Sequence, residues 1–376
     1  MHRAVVVLRC KTEKSMNVKA KALLPALGVC ALALTATPVH AQAASDLSSG
    51  ADDGGALRVE SDGSLDEGDT AFVAVTAATV WSEKDSPREV DEPALGDSPD
   101  LRAWDRALDR STETRRGLTG LVETQAGYGS EVRVLDVDGR WAKVAVVDQE
   151  TPKNEDGYPG WVPTAQLVEN DRFAELRDEQ PTAVVTAKFA ELSDIDYAEF
   201  DGEAPEAPIN AELPLIAQDE DDVRVALPGG GAAWLPVGSV RVDDPEHGFE
   251  LDEPTGGDLV ETARQFEGVD YLWGGVSPIG FDCSGFTYTV FRAHGIELPR
   301  DAGDQQNTGT TVSSSKLRAG DLLFFARGGS GRAHHVGMYI GDGKMIHAPN
   351  ASKDVEIVNW RSWDTGGQFA GAKRYL

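Results

Sequence analysis

Cysteine is scarce in this sequence, and its distribution excludes a fold held together by disulfide bonds. The 376 residues contain only Cys10, Cys30 and Cys283. The first two lie in an N-terminal segment, 1–41, that has the features of an export signal. Its removal would leave Cys283 as the only thiol, so no internal disulfide could form. A lone cysteine in an exported protein is either a small buried hydrophobe or a reactive thiol.

Long hydrophobic runs are also lacking. The apolar stretch 22–36 has the length of a signal-peptide core and is shorter than the roughly twenty residues that a bilayer span needs. Lys19 and Lys21 precede it, and Val39-His40-Ala41 offers small residues for cleavage. We therefore predict a signal peptide, 1–41, with a retained anchor helix as the alternative. The mature protein would have no membrane span and would be exported to the cell envelope, the periplasm or the medium.

Basic residues are few relative to acids: 35 Lys and Arg stand against 63 Asp and Glu, a formal net charge of -28. The excess lies in residues 46–257, which carry a net charge of -32, whereas residues 258–376 carry -1. An acidic surface repels nucleic acids and anionic lipids, so we expect neither as a partner. The near-neutral last third predicts a separate domain.

The acidic part contains two related β-rich segments. Residues 42–69 are rich in Asp, Gly, Ser and Ala and predict a disordered acidic leader. Residues 70–170 and 180–244 then each show period-two alternation with Gly or Asp turns. They end in similar motifs, Trp161-Val162-Pro163 and Trp234-Leu235-Pro236. We predict two small β-barrels, and these endings resemble the closing strands of bacterial Src-homology-3 (SH3)-type barrels, which are common wall-targeting modules.

The first barrel has a helical insertion at 98–117. Leu101, Trp104 and Leu108 lie on one face of the predicted helix. The insertion either fills the mouth of the barrel or leans over the cleft of the following domain. A polar linker, 245–257, separates the second barrel from that domain.

Cys283 lies in the stretch FDCSGF, at the start of a predicted helix that ends at Gly295. The apolar side chains at helical spacing are Phe286, Val290 and Phe291. Free N–H groups and the macrodipole at a helix N-terminus favour a thiolate. We therefore expect the pKa of the thiol to be lowered and the cysteine to be reactive.

A thiol nucleophile needs a base, and His335 and His347 lie in a predicted β-hairpin with strands at 333–340 and 344–348. They share a face only if the loop is odd-numbered or the hairpin has a bulge. In that case His335 takes the thiol proton and His347 orients His335. A zinc site is the alternative, but a helix start followed by a hairpin fits a thiol protease better.

Six motifs in the last third of the chain follow one another in a characteristic order. They are YLWGG, FDCSGF, LPR, LRAGDLLFF, HVGMYIG and MIHA. Together they resemble the NlpC-type family of papain-like bacterial cell-wall cysteine peptidases, over residues 258–376. The resemblance implies that Cys283 is the nucleophile, His335 the base and His347 the polar third member.

The resemblance also implies a substrate pocket and a reaction. Tyr271, Asp282 and Ser284 would shape the pocket on the acyl side, with Asp282 meeting a free amino terminus; alternatively, Asp282 only caps the helix. The reaction would be hydrolysis of the γ-D-glutamyl to diamino acid bond of peptidoglycan (murein) stem peptides. We expect diaminopimelate as the diamino acid and a free N-terminal L-Ala as a possible requirement.

The expected fold is multidomain: two small all-β SH3-like barrels followed by an α+β papain-like peptidase domain. We expect a monomer that uses no metal and no organic cofactor. Two other functions stay open. One is an acyl transferase on the same thiol fold, and the other is a cell-wall-binding protein in which the thiol is idle.

Overall fold

The computed structural model describes residues 65–196, 206–243, 253–328 and 331–376. The predicted signal peptide, the leader up to residue 64 and most of the predicted linker lie outside these ranges. Within them, no helix is both long and apolar enough to cross a bilayer.

The first seven strands form one antiparallel sheet in the order β3-β2-β6-β5-β4-β1-β7. The strands are β1 (Thr70–Val73), β2 (Ala77–Trp81), β3 (Val122–Gly127), β4 (Glu131–Asp138), β5 (Trp141–Val146), β6 (Tyr158–Pro163) and β7 (Leu167–Val168). Valines such as Val80, Val132 and Val144 fill its interior. The first strand of the sheet begins at Thr70, and just before it the Gly68 N–H donates to the Val134 carbonyl at 2.9 Å.

The insertion of this barrel is helical, as predicted. It forms α1 (Leu101–Leu108) and α2 (Thr112–Arg116). The side chain of Asp100 caps α1 by accepting from the Ala103 N–H at 2.7 Å. Leu101, Trp104 and Leu108 are buried on the inner face of α1.

Helix α3 (Asp171–Glu179) connects the two barrels, and its Phe173 packs edge-on against Phe72 with ring centroids 4.8 Å apart. The second barrel has a six-stranded antiparallel sheet, β10-β14-β13-β12-β8-β15, and a two-stranded one, β11-β9. Its strands are β8 (Thr182–Val185), β9 (Phe189–Ala190), β10 (Ser193–Asp196), β11 (Ala207–Pro208), β12 (Glu212–Gln218), β13 (Asp222–Ala226), β14 (Ala232–Pro236) and β15 (Val240–Asp243).

The last domain packs helices against a six-stranded antiparallel sheet, β18-β23-β19-β20-β21-β22. Its helices are α4 (Gly256–Arg264), α5 (Cys283–Arg292), α6 (Ala302–Gln305) and α7 (Trp360–Trp363). Its strands are β16 (Val276–Ser277), β17 (Gly280–Phe281), β18 (Thr310–Val312), β19 (Leu322–Ala326), β20 (Ala333–Gly341), β21 (Lys344–His347), β22 (Glu356–Asn359) and β23 (Phe369–Arg374). Phe286 and Phe291 of α5 are fully buried in the core shared with the sheet. Two barrels followed by an α+β domain are the predicted fold class.

Candidate active site

Cys283 is the first residue of α5, as predicted, and its thiol is free and buried. The residue before it, Asp282, is the helix N-cap and accepts from the Gly285 N–H at 2.7 Å. Only glycine fits at position 285, because a Cβ atom there would clash with the Gly275 carbonyl. The helix start is thus pressed against the Gly274–Gly275 loop, and the thiol is held at this junction.

The thiol is not pre-ionised, which corrects the sequence-based expectation. Burial, and then the neighbouring Asp282 carboxylate, raise the pKa of Cys283 to about 12. The backbone N–H groups of Val336 and Ser284 and the Arg300 guanidinium act in the opposite direction but do not prevail. Desolvation therefore outweighs the helix N-terminus at this site. The Val336 N–H that donates to the sulfur belongs to the residue after His335, so this contact joins the start of α5 to the strand that carries His335.

A β-bulge brings His335 and His347 to the same face of the sheet. The loop between β20 and β21 has two residues, which alone would put the two histidines on opposite faces. The register, however, shifts between Tyr339 and Gly341. His335 Nε2 consequently lies 2.8 Å from His347 Nδ1.

An aromatic wall encloses this histidine pair. The Trp363 ring lies 4.9 Å from the ring of His335 and 5.0 Å from that of His347, centroid to centroid, and Phe325 lies 5.9 Å from His335. Burial lowers the pKa of His335 well below its usual value, with the other imidazole adding to the effect. Burial, and then the Lys353 ammonium, lower the pKa of His347 to about 3. Both imidazoles are therefore neutral at pH 7, beside a neutral thiol.

Asp282 and Ser284 flank the thiol and are both held by a buried arginine. Arg300 is fully buried, and it donates to Asp282 Oδ2 at 2.8 Å, to Asp282 Oδ1 at 3.1 Å and to Ser284 Oγ at 3.1 Å. The Asp282 carboxylate also accepts from the Gly274 N–H at 2.9 Å. Asp282 is therefore a helix cap and an ion-pair partner, and its two oxygens are already engaged.

The first barrel reaches this arginine directly. Arg300 Nε donates to Thr124 Oγ1 of β3 at 2.9 Å. On the same strand, the Val122 carbonyl accepts from Trp273 Nε1 at 3.0 Å, and Gln125 Oε1 accepts from Ser277 Oγ at 3.2 Å. Strand β3 thus supports the YLWGG segment and the cap of the cysteine helix together.

The helical insertion contacts the predicted pocket residue Tyr271. Arg115 of α2 is 4% exposed and donates to the Tyr271 carbonyl at 3.1 Å and to Asp105 Oδ1 at 2.9 Å. Tyr271 is buried near the thiol, and its pKa is raised by burial and then by its electrostatic interactions with Cys283 and Asp282. Of the two alternatives for the insertion, the structure therefore favours the one in which it leans on the following domain.

The structure brings the six predicted site residues into one region. The zinc alternative fits less well, because one ring nitrogen of His335 and one of His347 are spent on each other. Among the described residues, one group of possible metal ligands lies close enough together to share an ion, and it consists of the carboxylates of Asp105, Asp109 and Asp270. Arg115 contacts all three.

Sequence reasoning missed several supporting residues. Arg300 belongs to the LPR motif and Gln306 follows it closely, but neither was given a role; the Gln306 Oε1 accepts from the Ala333 N–H at 2.8 Å and so anchors the start of β20. Trp363 had no sequence signal, since it enters the site through a distant short helix. His334, which precedes His335 in the sequence, is exposed.

Comparisons with known proteins match both barrels and the last domain to known families. Residues 268–370 match the model of the NlpC/P60 family, residues 119–167 that of the bacterial dipeptidyl-peptidase Sh3 domain, and residues 185–242 that of the YKFC SH3b2 domain. The chain is 42% identical over 307 residues to a gamma-D-glutamyl-L-lysine dipeptidyl-peptidase of Bacillus cereus, covering 81% of this chain and 91% of the relative. It is 36% identical to a protein of the same name from Bacillus subtilis, covering 76% and 92%. A crystal structure of an NlpC/P60 family protein from Bacillus cereus superposes with a TM-score of 0.75 at 41% identity, covering 82% of this chain and all of that one.

Proposed function

The chain belongs to the NlpC/P60 family, and we propose that it is an exported cysteine peptidase that cuts the γ-D-glutamyl to diamino acid bond of peptidoglycan stem peptides. The observation that carries the proposal is a buried thiol at a helix start, hydrogen-bonded to the strand that carries His335, one of a hydrogen-bonded pair of buried imidazoles. The two relatives named above support the bond type through their names, which specify γ-D-glutamyl-L-lysine.

In the proposed mechanism His335 Nε2–H donates to His347 Nδ1, which leaves His335 Nδ1 with a lone pair for the thiol proton. The Cys283 sulfur attacks the γ-glutamyl carbonyl as its proton passes to His335. Backbone N–H groups of the first turn of α5 stabilise the oxyanion. The protonated His335 then gives its proton to the leaving amine, and a thioester to the L-Ala-D-Glu part remains.

Hydrolysis of the thioester repeats these steps with water. His335 Nδ1 takes a proton from the attacking water, the oxyanion forms again, and its collapse returns the proton to the Cys283 sulfur. Because thiol and imidazole are both neutral at rest, each half-reaction begins with transfer of a proton to His335.

The pocket is proposed to include Tyr271, Asp282 and Ser284. Tyr271 lies beside the thiol and the Asp282 carboxylate, whose charges act on its pKa. Asp282 already accepts hydrogen bonds from Arg300, Ser284 and two backbone N–H groups. A direct salt bridge from Asp282 to a substrate amine would have to displace one of these donors. Whether the enzyme requires a free amine is therefore tested by comparing peptides with a free and with a blocked amino terminus.

The decisive experiment is mass spectrometry of peptides incubated with the mature protein. The substrates are L-Ala-γ-D-Glu-diaminopimelate and L-Ala-γ-D-Glu-L-Lys, each with a free and with an acetylated amino terminus. Cys283→Ala is the matched control. Release of L-Ala-D-Glu by the wild type but not by Cys283→Ala supports the proposal. The tripeptide that is cut faster identifies the preferred diamino acid.

The acetylated peptides decide the position of the enzyme in wall metabolism. Cleavage restricted to free amines indicates action on released fragments, whereas cleavage of both indicates that intact wall is accessible. Transfer of the acyl group to an added amine without hydrolysis would replace the proposal by an acyl transferase. No reaction by either protein on any peptide would overturn it.

A further inference from the structure

One polar atom in the proposed catalytic chain has no hydrogen-bond partner among the described residues. His347 is fully buried, its Nδ1 faces His335, and its Nε2 is unpaired. The nearest carboxylate oxygen is Glu356 Oε1, 3.8 Å from that Nε2. Glu356 is directly opposite His347 in the register of β21 and β22, so the two side chains point to the same face of the sheet.

The histidine pair has two possible proton arrangements, and only one is useful. If His335 Nε2 carries the shared proton, His335 Nδ1 is a free base and His347 must carry its own proton on Nε2. If His347 Nδ1 carries the shared proton, His335 Nδ1 is protonated and cannot accept the thiol proton. In that second arrangement His347 Nε2 has a bare lone pair. The state of His347 Nε2 therefore reports whether His335 can act.

A carboxylate near His347 Nε2 distinguishes these two arrangements. It attracts an N–H and repels a lone pair, so it stabilises the arrangement in which His335 is the base. We propose that Glu356 is a positioning residue that holds His347 in the Nε2–H tautomer and thereby keeps His335 competent to accept the proton of Cys283. The inference deepens the proposed function and rests on it.

Lys353 competes for the same carboxylate. Its ammonium lies 2.6 Å from Glu356 Oε1 and 2.9 Å from Oε2, in a half-exposed ion pair. Such a pair is weak, so a small rotation of Glu356 toward His347 costs little. When His335 becomes an imidazolium during the reaction, its hydrogen bond to His347 polarises the His347 ring. The His347 Nε2–H then attracts the Glu356 carboxylate more strongly.

The test uses three variants and two readouts. Glu356→Ala removes the acceptor, Glu356→Gln keeps an oxygen without the charge, and Lys353→Ala removes the ion pair but keeps the acceptor. The first readout is the tautomer of His347, measured from its ¹⁵N and ¹³C NMR chemical shifts in the full-length protein. The second is kcat and KM on the tripeptide that the wild type cuts best.

For Glu356→Ala we expect a mixture of His347 tautomers and a fall in kcat of about tenfold with KM nearly unchanged, because Glu356 acts through another group rather than on the substrate. Glu356→Gln should restore most of the Nε2–H tautomer and most of kcat. Lys353→Ala should leave both at wild-type values. Melting temperatures of all variants identify any that fail to fold.

Two results would overturn the inference. One is Glu356→Ala with the wild-type tautomer and kcat. The other is Lys353→Ala with the same loss as Glu356→Ala, which would assign the effect to the ion pair. The NMR readout needs no substrate, so it tests Glu356 even if the wild type cuts no peptide and the proposed function fails.

Discussion

Gly337 lies directly beside His347: a Cβ atom placed on Gly337 would be 3.0 Å from the Cβ of His347 and 3.1 Å from the Met345 sulfur. Both distances are shorter than ordinary carbon contacts. Gly337 and His335 lie on the same face of β20, so the absence of a side chain at Gly337 leaves the space in which His347 approaches His335.

We therefore predict that Gly337→Ala pushes His347 away from His335 and lowers kcat about 100-fold, as loss of an oriented general base does. The extra methyl group should also cost about 1–3 kcal/mol in the free energy of unfolding. Peptide cleavage and urea denaturation measure the two effects. Gly328→Ala is the control, since nothing lies within 4 Å of a Cβ at Gly328. Equal activity of the two variants would contradict the prediction.

Acid should destabilise the protein through its buried histidines. Burial and Lys353 lower the pKa of His347 from the ordinary value near 6.5 to about 3. Between these two pH values the imidazole is protonated in the unfolded chain and neutral in the folded chain. The stabilisation is complete above pH 6.5 and is lost as the pH falls toward 3. The loss is at most about 1.4 kcal/mol per pH unit for each such histidine.

Urea denaturation at several pH values between 7.5 and 4.5 tests this. His347→Gln should flatten the dependence of the unfolding free energy on pH, whereas the same change at the exposed His334 should have a small effect. If the wild type and His347→Gln lose stability in parallel below pH 6.5, the histidine is not the group responsible.

The local parts of this structure were predictable, and the non-local parts were not. The helix that starts at Cys283 follows from side-chain spacing within ten residues, and the hairpin follows from alternation around Gly341. The pKa of the Cys283 thiol is raised, whereas the sequence predicted that it would be lowered. The direction of the shift depends on burial, and the segments that bury the thiol are distant in the sequence. Trp363 reaches the site from a four-residue helix that no sequence pattern near Cys283 announces.

The bulge is an instructive intermediate case. The sequence showed that His335 and His347 could meet only with a bulge or an odd loop, but not which of these occurs. The structure places a bulge between Tyr339 and Gly341. Contacts between domains were predictable only in part: the sequence offered a contact from the helical insertion as one of two alternatives. Arg300 was part of a quoted motif, yet its bond to Thr124 depends on how the first barrel packs.

Removing the buried cation near Cys283 should lower the stability of the fold more than removing both members of its ion pair. Arg300→Met leaves the Asp282 carboxylate buried without its counter-charge, and we expect a loss of about 3–5 kcal/mol in the free energy of unfolding. Adding Asp282→Asn removes the stranded charge while keeping an oxygen that can cap α5. The double variant should therefore recover part of the loss.

A double-mutant cycle by urea denaturation measures this coupling. Thr124→Val is a reference for loss of hydrogen bonds around the arginine without loss of its charge, and it should cost less than Arg300→Met, about 1–3 kcal/mol. A double variant that is less stable than Arg300→Met alone would show that Arg300 does not serve mainly to neutralise Asp282.

Arg115 should affect substrate binding from outside the catalytic domain. Its guanidinium is buried between Asp105, Asp109 and the Tyr271 carbonyl, and it lies 3.8 Å from Asp270. Burial, and then repulsion from Asp105, already raise the pKa of Asp270 to about 7. Arg115→Met would remove the cation that holds these carboxylates together and would release the backbone at the pocket residue.

We expect Arg115→Met to raise KM for the tripeptide about tenfold while kcat changes less, because Tyr271 belongs to the proposed pocket and the thiol and histidines are held by other contacts. Arg115→Lys keeps the charge but not the planar set of donors, and it should be intermediate. Arg116→Met, at the exposed neighbouring position, is the control. A fall in kcat at constant KM would instead indicate that the insertion acts on the catalytic residues, and an unchanged KM and kcat would show that it only packs against them.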